Sequence, residues 1–138
     1  MEFTRRETLA LGAGAALMTV LPLRANAAAD DAIAEFTGGA DMADAGIDLT
    51  APEMAENGNT VPIEVSAPGA TAIAVFASGN PTPGVVTFNF GPLAASQAAS
   101  TRMRLAGTQD VIAVAKMADG SFARASKTVK VTIGGCGG

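Results

Sequence analysis

One thiol dominates the chemistry available to this sequence. Cys136 is the only cysteine in the chain, and it sits in the run Gly134-Gly135-Cys136-Gly137-Gly138. Glycine lacks a Cβ and visits most of φ/ψ space, so such a run holds no single shape by itself. A core cysteine needs the opposite, a fixed and crowded setting. The spacing instead offers a sulfur on a slim, flexible tether. From Ile133 to Cys136 is three residues, a reach of about 10 Å at ~3.3–3.6 Å per residue. No side chain next to the thiol would obstruct entry into a narrow pocket. No base lies within the arm, and Lys130 is the nearest cation in sequence. An ordinary thiol is mostly protonated at neutral pH. This is not the self-activated nucleophile of a cysteine enzyme. It is a thiol on which other proteins would act.

Other chemistry is sparse. Histidine is absent, which removes Ser-His-Asp and Cys-His catalysis and the usual zinc and copper ligand sets. Met42, Met54, Met103 and Met117 are scattered and read as core filler rather than a thioether copper site. We therefore assign no catalytic residue, no metal and no resident cofactor. A single cysteine cannot close an internal disulfide, so it points to intermolecular pairing or a reactive thiol.

The elements that would position the arm read as a β domain. Asp30 to Phe36 reads as a short helix, with acids in its first turn and Gly38-Gly39 beyond it. Ile47 to Thr50 is a weak first strand. Val61, Ile63 and Val65 alternate with Pro62, Glu64 and Ser66, as a half-buried strand does. Thr71 to Ala77 and Val85 to Phe90 are strands separated by the loop Ser78 to Gly84. Thr101, Met103 and Leu105 alternate with Arg102 and Arg104. Val111 to Met117 is more continuously apolar, as a central strand would be. Asp119-Gly120 makes a hairpin turn. A last strand runs from Phe122 to Ile133, with Val129, Val131 and Ile133 on one face. This pattern predicts an all-β, immunoglobulin-like β-sandwich with a short N-terminal helix and a flexible C-terminal glycine arm. Glu56-Asn57-Gly58-Asn59 reads as a turn, since Asn-Gly favours positive φ. Arg102 and Arg104 on one strand face read as charge protecting an exposed edge, with steering of anionic substrates or acidic partners as the other reading.

The first residues address the chain for export. Arg5-Arg6 precedes an apolar run from Leu9 to Leu23, and Ala25-Asn26-Ala27 supplies small residues for a signal peptidase. This is a twin-arginine signal with cleavage after Ala27. The apolar run falls short of the ~20 residues a membrane helix needs, and no lipid-anchor cysteine follows it. We expect a periplasmic protein without a membrane anchor after cleavage. The expected organisation is a signal at 1–27, a sandwich at 28–133 and an arm at 134–138. The net charge of −4 and the lack of a basic, aromatic-interleaved patch argue against nucleic acid. Asp30 to Glu64 contains no Lys or Arg, and after the leader every basic residue lies from Arg102 onward. Such asymmetry fits a polar partner surface or a solvated face.

Taken together, the twin-arginine signal, Ile47-Asp48-Leu49 to Pro52, Ala55-Glu56-Asn57-Gly58-Asn59-Thr60-Val61-Pro62, the β domain and the terminal Gly-Gly-Cys-Gly-Gly resemble the Y-subunit family of the bacterial Sox sulfur-oxidation carrier, SoxYZ. The resemblance covers essentially the whole chain. It implies that Cys136 is the carrier thiol and that Gly134, Gly135, Gly137 and Gly138 form the swinging arm. It implies a heterodimer with a SoxZ-like β-sandwich subunit. It also implies a c-type cytochrome that couples thiosulfate to Cys136, a hydrolase that releases sulfate and a sulfane dehydrogenase that oxidises the remaining sulfur. The subunit itself would catalyse nothing and would hold only covalent sulfur adducts.

Other readings of the same residues stay open on sequence alone. The cysteine could merely dimerise an exported structural immunoglobulin-like module, or belong to a frayed tail. Gly137-Gly138 superficially suits a ubiquitin-like thiocarboxylate carrier, but an export signal fits poorly with ATP-driven adenylation, and Cys136 has no role in that scheme.

Overall fold

The computed structural model describes residues 24–133. The twin-arginine run and the glycine arm both lie outside the described residues. The described residues form one helix, α1 (Arg24–Thr37), and nine strands. These are β1 (Met42–Ala43), β2 (Asp48–Thr50), β3 (Met54–Ala55), β4 (Val61–Ser66), β5 (Ala70–Ala77), β6 (Gly84–Asn89), β7 (Ala98–Met103), β8 (Gln109–Met117) and β9 (Phe122–Val131).

The strands form two sheets. The larger has the order β1-β9-β8-β5-β6, with β3 also paired to β9. The smaller has the order β2-β4-β7. Their inner faces meet in one core. Leu49, Val61, Ile63, Val65, Met103 and Leu105 from the small sheet's side pack with Ile73, Val75, Val111, Ala113 and Val129 from the large sheet. The alternation along β4 is cleanly expressed. Val61, Ile63 and Val65 are buried, while Pro62 and Glu64 are exposed. The sandwich expected from the sequence is the one observed.

β5 and β8 are buried on both faces, and the helix is the reason. Their inner side chains enter the sandwich core, while Ala74, Phe76, Ile112 and Val114 form a second cluster with Ile33 and Phe122. Phe36 closes it edge-on against Phe76 and Phe122, with ring centroids 6.4 and 6.0 Å away. Such pairs add about 0.5–1.5 kcal/mol each beyond the area they bury. The continuous apolar run of β8 thus marks a strand covered from two sides.

Four expectations need correction. The helix is longer than Asp30–Phe36. Its Ala-rich start, from Ala27 to Ala29, has high helix propensity, so Asp30 and Asp31 lie mid-helix rather than in the first turn. The last strand ends at Val131, two residues early. Val129 is fully buried, but Ile133 lies past the strand and is 66% exposed. β1 and β3 were not expected. Each is two residues long and pairs in parallel with β9, at Met42↔Phe122 and Met54↔Lys130. Between them the chain crosses to the small sheet as β2, where Leu49 opposes Val65. The free edge of β9 is therefore covered near both ends, a common way to blunt an edge strand. Finally, the Asn57-Gly58 turn forms without positive φ at either residue.

The β8–β9 hairpin follows expectation. Gly120 takes φ 88°, a left-handed value that costs glycine little. The Ser121 hydroxyl donates to Asp119 Oδ1 at 2.6 Å and the Ser121 amide at 2.9 Å. These two bonds hold the Asp119 carboxyl below the usual carboxylate range. Among the described residues, no helix is long and apolar enough to cross a membrane.

Candidate functional site

The arm's own residues, Gly134, Gly135, Cys136, Gly137 and Gly138, fall outside the described residues. What the structure shows is the platform from which they start. β9 ends at the rim of the sandwich formed by three connections: the β3–β4 turn, the β5–β6 loop and the β7–β8 loop. The registers place them together. Gln109 at the start of β8 opposes Val129 near the end of β9, Ala77 at the end of β5 opposes Val111, and Val61 at the start of β4 opposes Met103 at the end of β7.

Residues 130–133 are tied to this rim on two sides. On one side the amide of Lys130 donates to Glu53 O at 2.9 Å, and that of Thr132 to Ala55 O at 3.1 Å. The Thr132 hydroxyl donates to Glu56 O at 3.1 Å. The Gly58 amide then donates to Ile133 O at 2.8 Å, and Gly58 O accepts from the amide of Leu105, also at 2.8 Å. Leu105 is fully buried, so the tie runs from the arm's root into the core. On the other side Thr108 Oγ1 accepts from the Val131 amide at 3.0 Å.

A buried polar knot supports the Thr108 side. Asn80 Nδ2 donates to Arg104 O at 2.8 Å, and Asn80 Oδ1 accepts from the Ala106 amide and from Gln109 Nε2, both at 2.9 Å. Gln109 Oε1 accepts from the Gly79 amide at 2.8 Å. Asn80 and Gln109 are both buried. Among the described residues no buried side-chain polar atom lacks a partner.

The Glu56-Asn57-Gly58-Asn59 run forms the expected turn, with the Asn59 amide donating to Asn57 Oδ1 at 3.0 Å. Its position adds what sequence did not offer: it grips the residue before the arm. Arg102 is exposed on the edge strand β7, its Nη1 3.4 Å from Thr60 Oγ1, and Arg104 is exposed just past that strand. Sequence reasoning missed Thr108, Thr132, Asn80 and Gln109. Only the Asn-Gly dipeptide signalled anything here, and it signalled a turn without its distant partner.

The family model of the sulfur oxidation protein SoxY matches residues 33–136. The chain belongs to the SoxY family. A solved structure of the sulfur carrier protein SoxY from Chlorobium limicola f thiosulfatophilum is similar, at 40% identity over 75% of this chain and 96% of that one, with a TM-score of 0.66. The superoxide reductase (neelaredoxin) from Ignicoccus hospitalis is similar at 18% identity, over 63% of this chain and 80% of that one, with a TM-score of 0.56. A superoxide reductase-like protein from Thermotoga maritima reaches a TM-score of 0.51 at 20% identity, over 62% and 84% of the two chains. These last two share the fold alone. No curated protein matches the chain at a significant level. A sulfur-carrier role in sulfur oxidation follows from SoxY membership, as do partners from the Sox system such as SoxZ.

Proposed function

We propose that this SoxY-family chain is a periplasmic carrier that holds thiosulfate-derived sulfur on Cys136 and presents it to Sox enzymes. The observation that carries this reading is the extent of the family match, which ends on Cys136 itself. The geometry supports it, because the strand feeding the arm is anchored to the core up to Ile133. In the proposed cycle the Cys136 thiol and thiosulfate form an S–S bond, releasing one proton and two electrons to a c-type cytochrome. Water then cleaves the terminal sulfonate as sulfate and leaves a persulfide. A sulfane dehydrogenase removes six electrons from that sulfur while three waters supply oxygen, giving a cysteine S-sulfonate. Hydrolysis releases sulfate and restores the thiol. Each oxidation has its acceptor in a partner, so the carrier supplies only the attachment point.

Intact-mass analysis of protein from thiosulfate-grown cells tests this directly. Masses corresponding to thiosulfonate and persulfide should appear on the peptide containing Cys136 and vanish with reductant. An unadducted thiol under these conditions, or a Cys136–Cys136 disulfide as the sole product, would favour the structural-module reading instead.

We further propose that a SoxZ-like subunit covers the β6 side of the sandwich. No Asp, Glu, Lys or Arg occurs between Glu64 and Arg102, so β5, β6, most of β7 and their loops are uncharged. β6 ends the large sheet and has no fully buried residue. Phe88 and Phe90 are only partly buried against the core, and Leu93 is 98% exposed. Charge is the usual protection of such an edge, and this edge has none. A neutral strand of a second sandwich could pair with it at no like-charge cost. Thr87→Lys places a charge at an exposed β6 position. It should weaken recovery of the heterodimer in a tagged pull-down by about tenfold, or ~1.4 kcal/mol. Wild-type recovery by this variant would remove β6 from the contact.

A further inference from the structure

We infer that the Glu56–Gly58 turn and Thr108 form a clamp that sets the pivot of the cysteine arm, with Thr132 and Thr108 as positioning residues for sulfur transfer. The inference rests on the carrier reading but concerns a device that family membership does not describe. Strand ends ordinarily fray. Here each residue from Val131 to Ile133 has a backbone tie to something other than a strand of the sheet's centre. Val131 N–H is held by the Thr108 hydroxyl at 3.0 Å, Thr132 N–H by Ala55 O at 3.1 Å and Ile133 O by Gly58 N–H at 2.8 Å. The Thr132 hydroxyl adds the bond to Glu56 O. The two threonine side chains are exposed, so they contribute little to the core. Their hydroxyls instead add to the main-chain bonds that hold residues 131–133 at the rim.

The position of the pivot matters because reach scales with free length. With the clamp closed, the segment between the last held residue, Ile133, and Cys136 is three residues of sequence. If it opened back to Lys130, that segment would double. The root-mean-square extent of a glycine-rich chain grows as the square root of its length, so it would widen by about 1.4-fold. The local concentration of the thiol at a docked partner's site falls as the −3/2 power of length, here by about threefold. The clamp thus keeps the sulfur concentrated near the rim while leaving the arm itself slim.

The test pairs a physical readout with a kinetic one. Nitroxide labels at Cys136 and at Lys127→Cys, an exposed β9 position away from the β6 face, report the distance distribution between arm and sheet. The double variant Thr108→Val with Thr132→Val removes both hydroxyls at nearly constant volume. The main-chain ties remain in this variant, so its distribution should broaden toward, but not beyond, the limit of about 1.4-fold, and in label-free protein kcat/KM for sulfur transfer to a partner enzyme should fall by up to about threefold. Serine at both positions restores the hydroxyls and should restore both readouts. One glycine inserted after Ile133 leaves the clamp intact and lengthens the arm, so it should lower kcat/KM in the same direction even if the valine variant folds poorly. An unchanged distribution in the valine variant, serine variants as broad as valine, or transfer kinetics indifferent to both changes would overturn the inference. Failure of the wild-type thiol to accept sulfur would refute the carrier reading separately, because the distance measurement does not depend on it.

Discussion

Cys136→Ser is expected to abolish thiosulfate-dependent electron transfer in a reconstituted system while leaving the fold intact. Serine is close in size but cannot form the S–S bond on which each carrier intermediate depends. Its hydroxyl is also far less acidic and less nucleophilic than a thiol. The expected loss is on the order of a thousandfold or more, to background, because no second cysteine can substitute. Stability should barely change. Position 136 lies beyond Ile133, itself exposed, and substitutions away from packed features usually stay within about 0.5 kcal/mol. The measurements are cytochrome reduction with thiosulfate, the adduct mass and the thermal midpoint. Normal turnover by the serine variant would end the carrier reading. An intact fold with no turnover separates a carrier from a structural module, for which the residue would be dispensable.

The largest stability effect outside the hydrophobic core is expected at Asn80. Its side chain makes three hydrogen bonds, to Arg104 O, the Ala106 amide and Gln109 Nε2, and the residue is 8% exposed. Asn80→Ala leaves three groups without their partner. Each buried unsatisfied group costs about 1–3 kcal/mol. The knot lies under a loop, where water can reach part of it, so the lower end applies, about 3 kcal/mol in all. For a domain near 100 residues each kcal/mol moves the midpoint by about 4–8 °C, so thermal unfolding should drop by more than 10 °C. Asn80→Asp retains an acceptor for two partners but sets a carboxylate against Arg104 O, so its loss should be intermediate. The alanine variant should also loosen Thr108, which sits in the loop the knot supports, and broaden the arm's distance distribution. A midpoint within 2 °C of wild type would show that water replaces Asn80 without loss, since that corresponds to less than about 0.5 kcal/mol.

The two expectations sit at different levels of legibility. Cys136 could be singled out from the sequence because its chemistry is local: one thiol, its glycine neighbours and no histidine. Asn80 could not. In sequence it is one polar residue in a Ser-Gly-Asn-Pro loop. Its value lies in meeting residues 24, 26 and 29 positions away.

The sheets divide in the same way. β4 and β8 were readable because the alternation of β4 and the apolar run of β8 report which faces are buried. β1 and β3 were not, because two residues carry no period. Met42-Ala43 and Met54-Ala55 are strands only because the edge of β9 is there to pair with them. The helix was placed but cut short, and its length follows from alanine propensity and from the apolar outer face of β5 and β8 waiting to be covered.

By itself, then, the sequence determined the fold class, the carrier thiol proposed here and its slim tether, because those follow from residue types and short-range periodicity. Tertiary structure alone decided what holds residues 130–133, the stretch before the glycine run. Thr132 meets Ala55 and Glu56 across 77 and 76 positions, and Gly58 holds Ile133 through backbone atoms. Any residue but proline can supply a backbone amide, and every residue a carbonyl. Such bonds therefore leave no mark in the sequence, and only the closed sandwich brings their partners together.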